Sequence, residues 1–261
     1  MSQQVKNIRY PTPVRNLLGE FTAAAALLSN TLKFDGVLSL QARGNGPLPL
    51  IMSECNHHRE LRGIAKSAEP DADIAGDLPY LIGSGGALTI SIHPDQGKRY
   101  QGIVPLDAPT LSDCLEHYFV QSEQIPTLLR LGIRFQGEAC LAGGILVQHL
   151  PQGEVGRARL HAEMEHPDWE HVSALAGSMS HAELVDPKLS MEALIWRLFH
   201  EENKILIEKG VKLAKGCRCS VGHYDSVISR FPESERDEMR NEQGNIVVDC
   251  AFCSKEFILS L

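Results

Sequence analysis

An α+β protein is predicted by three features of this 261-residue sequence. One amphipathic helix stands near the start, a run of short alternating segments set off by glycine turns follows, and helical periodicity returns just before four crowded cysteines. These features divide the chain into an N-terminal α/β sheet-and-helix core domain (1–167), a helical linker (168–215) and a small C-terminal four-cysteine module (216–261).

Residues 13–32 place Val14, Leu17, Leu18, Phe21, Ala24, Ala25 and Leu28 at the i, i+3, i+4, i+7 spacing of one helix face. That helix should face a core. Residues 36–41 (GVLSLQ) and 47–54 (PLPLIMSE) flank Gly44-Asn45-Gly46, which predicts a β-hairpin. Further strands are expected at 61–65, at 87–93 after the glycine cluster Gly83-Ser84-Gly85-Gly86, and at 101–106. A helix is expected over 111–123, then strands over 128–136 and 139–148, closed by Leu150-Pro151.

From Asp168 the stripe Trp169, Val172, Leu175, Ala176 and Met179 recurs at helical spacing, and Asp186-Pro187 separates it from a second helix over 189–201. This second helix carries Met191, Leu194, Ile195, Trp196, Leu198 and Phe199. Together they form too large an apolar patch to face water, so a cover over it is expected. Residues 201–215 alternate charged and apolar character and read as a connecting strand or linker.

With 43% apolar and 22% charged residues the chain is not disordered. Its 25 basic and 33 acidic residues give a net charge of −8, which opposes a general nucleic-acid binder and docking on anionic lipid. No apolar run approaches the ~18 residues a membrane span needs, and the opening MSQQVKNIRYPTPV has no apolar signal core. A cytoplasmic protein with no nucleic-acid and no membrane partner is expected.

Seven cysteines cannot all pair, which excludes a complete disulfide framework. Cys55, Cys114 and Cys140 lie in apolar or strand-like contexts and read as inert buried thiols. Cys217 and Cys219 form a Cys-x-Cys pair, and Cys250 and Cys253 a Cys-x-x-Cys pair thirty residues on. Four thiolates complete a tetrahedral zinc shell and leave no open position for a substrate water. One Zn2+ per chain is therefore expected. A module of about 45 residues buries too little apolar area to fold unaided, so metal binding and folding should be one equilibrium. Between the pairs, Pro232-Glu233-Ser234-Glu235 opens a helix, Gly244-Asn245 turns the chain, and strands are expected at 246–249 and 256–259, a ribbon-like zinc fold.

Standard ribbons use two Cys-x-x-Cys knuckles, so the Cys-x-Cys pair is a departure. A disulfide across it would close a small strained ring, and strained disulfides are the labile ones. Zinc also keeps these sulfurs as thiolates, the species that peroxide and hypochlorite attack. On spacing alone, a structural clip and a redox switch both stand open. Between the pairs, seven carboxylates (Asp225, Glu233, Glu235, Asp237, Glu238, Glu242, Asp249) outnumber Arg230, Arg236 and Arg240, the reverse of a nucleic-acid-binding ribbon.

Several longer strings are specific: 118–127 (YFVQSEQIPT), Gly143-Gly144-Ile145-Leu146-Val147-Gln148 with Leu150-Pro151, Arg197-Leu198-Phe199-His200-Glu201, and the C-x-C-S and C-x-x-C motifs. In these the chain strongly resembles the 33 kDa chaperonin family of redox-regulated bacterial heat-shock chaperones, along nearly its whole length. The resemblance implies an ATP-independent holdase that is zinc-bound and inactive when reduced. Oxidant and heat together would turn it into a binder of unfolding client proteins. It implies that Cys217, Cys219, Cys250 and Cys253 are the zinc ligands and the redox-active cysteines, forming disulfides within each motif when oxidised. The same resemblance makes the 168–215 linker metastable, exposing client-binding surface on unfolding, and makes the active form a homodimer. The apolar linker residues Leu194, Ile195, Trp196, Leu198 and Phe199 are the candidate client contacts. Family members usually carry roughly thirty more residues, a core strand among them, before the match to Tyr10-Pro11; either the chain is shortened here or its start is misassigned, and a missing strand would leave a sheet edge unpaired.

Other groupings point less far. Gly83-Ser84-Gly85-Gly86 precedes a strand pattern without a P-loop Lys-Ser/Thr and reads as a hairpin turn. His57-His58, and His161, His166 and His171 among Glu163, Glu165 and Asp168, lack a metal-binding helical frame and read as turn and cap residues. His223 is a spare-ligand candidate beside a full shell. No Ser, His and acid grouping forms a catalytic constellation, so no enzyme is expected. The alternative function is a zinc-ribbon interaction module with purely structural zinc, binding nucleic acid or protein.

Overall fold

The computed structural model describes residues 10–31, 35–67, 76–137, 139–150, 166–202 and 205–259. Helix α1 (Thr12–Thr31) forms where expected, helped by the strong helix formers of its TAAAALL run. It buries Val14, Leu17, Phe21, Ala24, Ala25 and Leu28, six of the seven residues of its apolar stripe. Strands β1 (Gly36–Arg43), β2 (Leu50–Asn56) and β3 (Glu60–Lys66) follow as an antiparallel meander.

The β1–β2 hairpin matches the expectation, but β2 begins three residues late. The N–H groups of Gly46 and Leu48 are instead taken by the carbonyls of Ile82 and Leu81, at 2.7 and 2.8 Å. Those carbonyls belong to α2 (Leu78–Ile82), a short helix that the sequence reading missed. Asp77 caps it by accepting from the Tyr80 N–H at 3.1 Å, and proline sits in its first turn. A single turn shows no periodicity, so the sequence alone predicts a hairpin turn at the following Gly83–Gly86 segment. It joins α2 to strand β4 (Ala87–Pro94) instead.

Strand β5 (Tyr100–Pro105) pairs with β4, and β4 with β1, which gives the order β5-β4-β1-β2-β3. No strand lies beyond β5 among the described residues. Helix α3 (Leu111–Tyr118), capped by Thr110, runs on as a π-helical turn over 119–123 that stops at Gln124 with φ of 57°. Strands β6 (Thr127–Gln136) and β7 (Ala139–Gln148) form a second hairpin. Helix α1 lies between this hairpin and the first sheet, contacting both. Phe21, Leu40, Ile51, Leu88, Leu115 and Leu129 close the core around it. Cys55 and Cys114 are buried as expected, but Cys140 is exposed. It stands near the hairpin's end, where β7 has left the core.

Helices α4 (Pro167–Gly177), α5 (His181–Leu184) and α6 (Met191–Phe199) follow. Ser180 and Glu183 form a capping box at α5. Helix α5 rests on the β6–β7 hairpin so closely that a Cβ on Gly143 would lie 1.9 Å from the Leu184 carbonyl oxygen. The expected cover over α6 is only partial. Leu194 is buried with Met179 and Leu184, whereas Trp196 is 65% exposed and Met191 47% exposed. The helix meets its neighbours along one edge, and the chain after it leaves Leu206, Ile207, Val211 and Leu213 exposed as well. His161, Glu163 and Glu165 lie outside the described residues.

The chain then returns to the sheet. Strand β8 (Ala214–Lys215) pairs in parallel with β3, and α7 (Val221–Ile228), α8 (Glu233–Glu238), β9 (Ile246–Asp249) and β10 (Glu256–Leu259) complete the C-terminal module. Strands β9 and β10 pair over the residues expected.

Candidate metal centre

The two cysteine pairs are carried by different elements and meet in space. Cys217 and Cys219 sit between β8 and α7, and the Ser220 side chain caps α7 by accepting from the His223 N–H. Cys250 and Cys253 lie in the turn between β9 and β10, where the Cys250 N–H bonds the Lys255 carbonyl at 2.9 Å and the Ser254 N–H bonds the Cys250 carbonyl at 2.7 Å. Ser254 has a positive φ of 55°, which lets the turn fold back on itself. All four sulfurs lie within 4.8 Å of one another, with Cys217 to Cys250 and Cys219 to Cys253 each at 3.5 Å.

This geometry fits zinc. Four sulfurs at metal–sulfur bonds of ~2.3 Å stand about 3.8 Å apart on the edges of a tetrahedron. No histidine or carboxylate joins the group among the described residues. The spare-ligand candidate His223 instead sets its ring edge-on to Tyr224, centroids 5.4 Å apart.

The thiols are also electrostatically unequal. Burial and the surrounding thiols push Cys219 up, and burial pushes Cys253 up as well. At Cys250 burial acts in the same upward direction, but the Tyr224 hydroxyl and the N–H groups of Cys253 and Phe252 outweigh it and bring the thiol down to about 6. The Tyr224 hydroxyl is in turn pushed up by burial and by its bond to Cys250. A thiolate is thus favoured at one corner, its donors being the N–H groups of Phe252 and Cys253 in the turn itself and the Tyr224 hydroxyl on α7.

Around the sulfurs the apolar support is thin. Ile246, Cys250, Phe257 and Leu259 are the buried residues of this cluster, with Tyr224, Ile228, Val248 and Phe252 packed partly against them. Two neighbours of the four cysteines, Arg218 and Phe252, also reach the core sheet. Arg218 pairs with Glu54, and Phe252 lies under the Arg62 guanidinium, 4.1 Å from its ring centroid. Sequence reading missed this junction, since nothing in the spacing of Glu54 and Arg218, 164 positions apart, couples them.

The candidate client residues stand apart from the metal centre. Leu194 is buried, Ile195, Leu198 and Phe199 are half-buried, and Trp196 projects outward with its ring 5.9 Å from that of His200.

Comparison with known proteins follows the same lines. A family model described as Hsp33 protein matches residues 1–260. A protein named 33 kDa chaperonin from Ectopseudomonas mendocina is 41% identical over 249 residues, covering 95% of this chain and 80% of its own length. One of the same name from Azotobacter vinelandii is 42% identical over 253 residues, with the same coverage. The crystal structure of the 33 kDa chaperonin of Thermotoga maritima superposes with a TM-score of 0.79, covering 99% of this chain and 86% of that one, at 20% identity. That last likeness is one of fold.

Proposed function

The chain belongs to the Hsp33 family, and from that premise we propose that it is a redox-gated, ATP-independent holdase chaperone for unfolding proteins under oxidative and heat stress. The observation that carries the gating is the convergence of four thiols on a module with almost no other core. Cys217, Cys219, Cys250 and Cys253 would hold one Zn2+, which when bound supplies charge neutralisation and a fixed tetrahedral clasp, not an open catalytic position. The protein acts by binding clients, with no catalytic step.

Oxidation forms two S–S bonds from four thiolates, each bond consuming one hydrogen peroxide as two-electron oxidant and two protons from solvent, with cleavage of the O–O bond and release of two waters. In the folded module the four cysteines are free, and their sulfurs stand apart within 4.8 Å of one another, not at the ~2.05 Å of an S–S bond. Pairing within each motif therefore requires the sulfurs to leave this arrangement, and loss of the clasp accompanies bond formation. The functional division then follows 1–167 as core domain, 168–215 as linker and 216–261 as switch. In the linker, Trp196 and its neighbours Leu194, Ile195, Leu198 and Phe199 supply apolar client surface, joined by the exposed row Leu206, Ile207, Val211 and Leu213. Apolar surface of this extent also suits pairing of two oxidised chains. Among the described residues no helix is long and apolar enough to cross a membrane, in keeping with a cytoplasmic site of action.

The test follows zinc release with a chromogenic chelator during peroxide treatment at mild heat, with thermal aggregation of an unrelated protein recorded on the same samples. Loss of about one zinc per chain with a gain in aggregation suppression is expected. Zinc retained, or released without such a gain, would overturn the gating and leave a structural zinc.

A further inference from the structure

The contact between the metal module and the core is built around a single buried carboxylate. Glu54 on β2 is 8% exposed, in a sheet position where a charge is costly unless paired. Its Oε2 accepts from Arg62, the cross-strand partner on β3, through Nε and a terminal nitrogen, both at 2.6 Å. The same oxygen accepts from Arg218, the residue between the two cysteines of the Cys-x-Cys pair. The Arg62 guanidinium lies in turn over Phe252, a residue between the cysteines of the Cys-x-x-Cys pair. Each knuckle thus sends one side chain to the same Glu54–Arg62 pair, and the four groups form one continuous stack.

The backbone closes around this stack. The Ala214 N–H bonds the Arg59 carbonyl and the Gly216 N–H bonds the Leu61 carbonyl, both at 3.0 Å. Any Cβ at Gly216 would lie 2.4 Å from the Glu60 side chain, so the approach is as close as the chain allows. Only two linker residues pair with β3. So short a strand cannot hold by its ladder alone, and the charged stack supplies what it lacks.

We infer that the Glu54–Arg62 pair is the core's receptor for the metal module, engaged only while both knuckles are held together. Arg218 and Phe252 can meet it at once because the four sulfurs fix the two knuckles side by side. When the knuckles separate, both contacts fail together, β8 leaves β3, and the preceding exposed apolar row is released from its anchored end. That the release exposes client surface rests on the proposed function; the docking itself does not.

The experiment uses zinc-loaded, reduced full-length chains carrying Glu54→Gln or Arg218→Gln. Zinc content, hydrogen exchange at the Ala214 and Gly216 amides, and aggregation suppression are read on each. Glu54→Gln keeps shape and removes the charge, and Arg218 is half-exposed, so its variant folds if the first does not. Both are expected to hold one zinc per chain while those two amides exchange about tenfold faster than in the parent chain. Exchange within about twofold of the parent in the variants that fold and hold zinc would overturn the receptor. If exchange rises and the reduced variants suppress aggregation without peroxide, receptor and gating both stand. If exchange rises with no gain in suppression, the receptor stands and the gating falls.

Discussion

The core domain and the C-terminal module solve the same problem with different materials. Around α1, two sheets' worth of Leu, Ile, Val, Ala and Phe close a continuous apolar cluster, with side chains as large as Phe21 and Leu40 fully buried. In the module the buried set shrinks to Ile246, Cys250, Phe257 and Leu259, and one of these four is itself a candidate ligand. The first region is held by area, and the second is built around four thiols that could hold a metal ion. Area cannot be removed without mutation, whereas a metal held by thiols can be removed by chemistry, and the proposed gating rests on that asymmetry.

The largest effect that would break this comparison comes from stripping the metal. Under a strong chelator in reducing buffer, amides over 217–259 are expected to lose their exchange protection almost completely. Those of the β1–β2 hairpin, such as Leu38 and Leu40, should stay within about twofold of the zinc-loaded chain. Collapse of both sets would show that the two regions are one cooperative unit.

The converse perturbation is next in size. Phe21→Ala opens a cavity at a fully buried site in the centre of α1 and is expected to cost about 3 to 5 kcal/mol, lowering the core's thermal midpoint by about 10 °C. Zinc affinity, measured by competition with a chelator dye, should not change. A weakened metal site in this variant would mean that the core props the module as well as receiving it.

The two regions also differed in how they could be read. In the core, the stripe from Val14 to Leu28 and the strand-like runs over 128–136 and 139–148 gave the elements almost to the residue. What failed was what period cannot carry. Helix α2 is one turn long and exists because its carbonyls take the N–H groups of Gly46 and Leu48, a tertiary trade invisible along the chain. The strand-like context of Cys140 predicts a buried thiol, but strand membership does not say whether the sheet still has a core beneath it, and the thiol is exposed. In the module, spacing carried the information, and the cysteine pairs and both strands were legible from it. The Glu54–Arg218 contact obeyed neither rule, being a pairing of one buried and one half-exposed charge across 164 positions. Helix α6 misled for a physical reason too: apolar content argues for a cover, yet Trp196 is left outside.

The smallest effect sharpens the claim that the core is held by area. Glu20 lies on α1, and burial raises its carboxyl above the usual range while nearby His181 pulls it partly back. A carboxyl whose folded-state value exceeds its unfolded one favours the fold while protonated. Its contribution is full below the unfolded value near 4.5 and is lost as pH rises through the raised one. At neutral pH Glu20 therefore lowers the core's stability relative to acid pH. Glu20→Gln, which keeps the volume and never ionises, is expected to raise the core's midpoint by about 2 °C at pH 7 and to match the parent near pH 4. A fall at pH 7 instead would mean that the charge is used, through His181 on α5, to hold the linker to α1. The core would then depend on a polar contact at the seam where its apolar packing gives way to the linker.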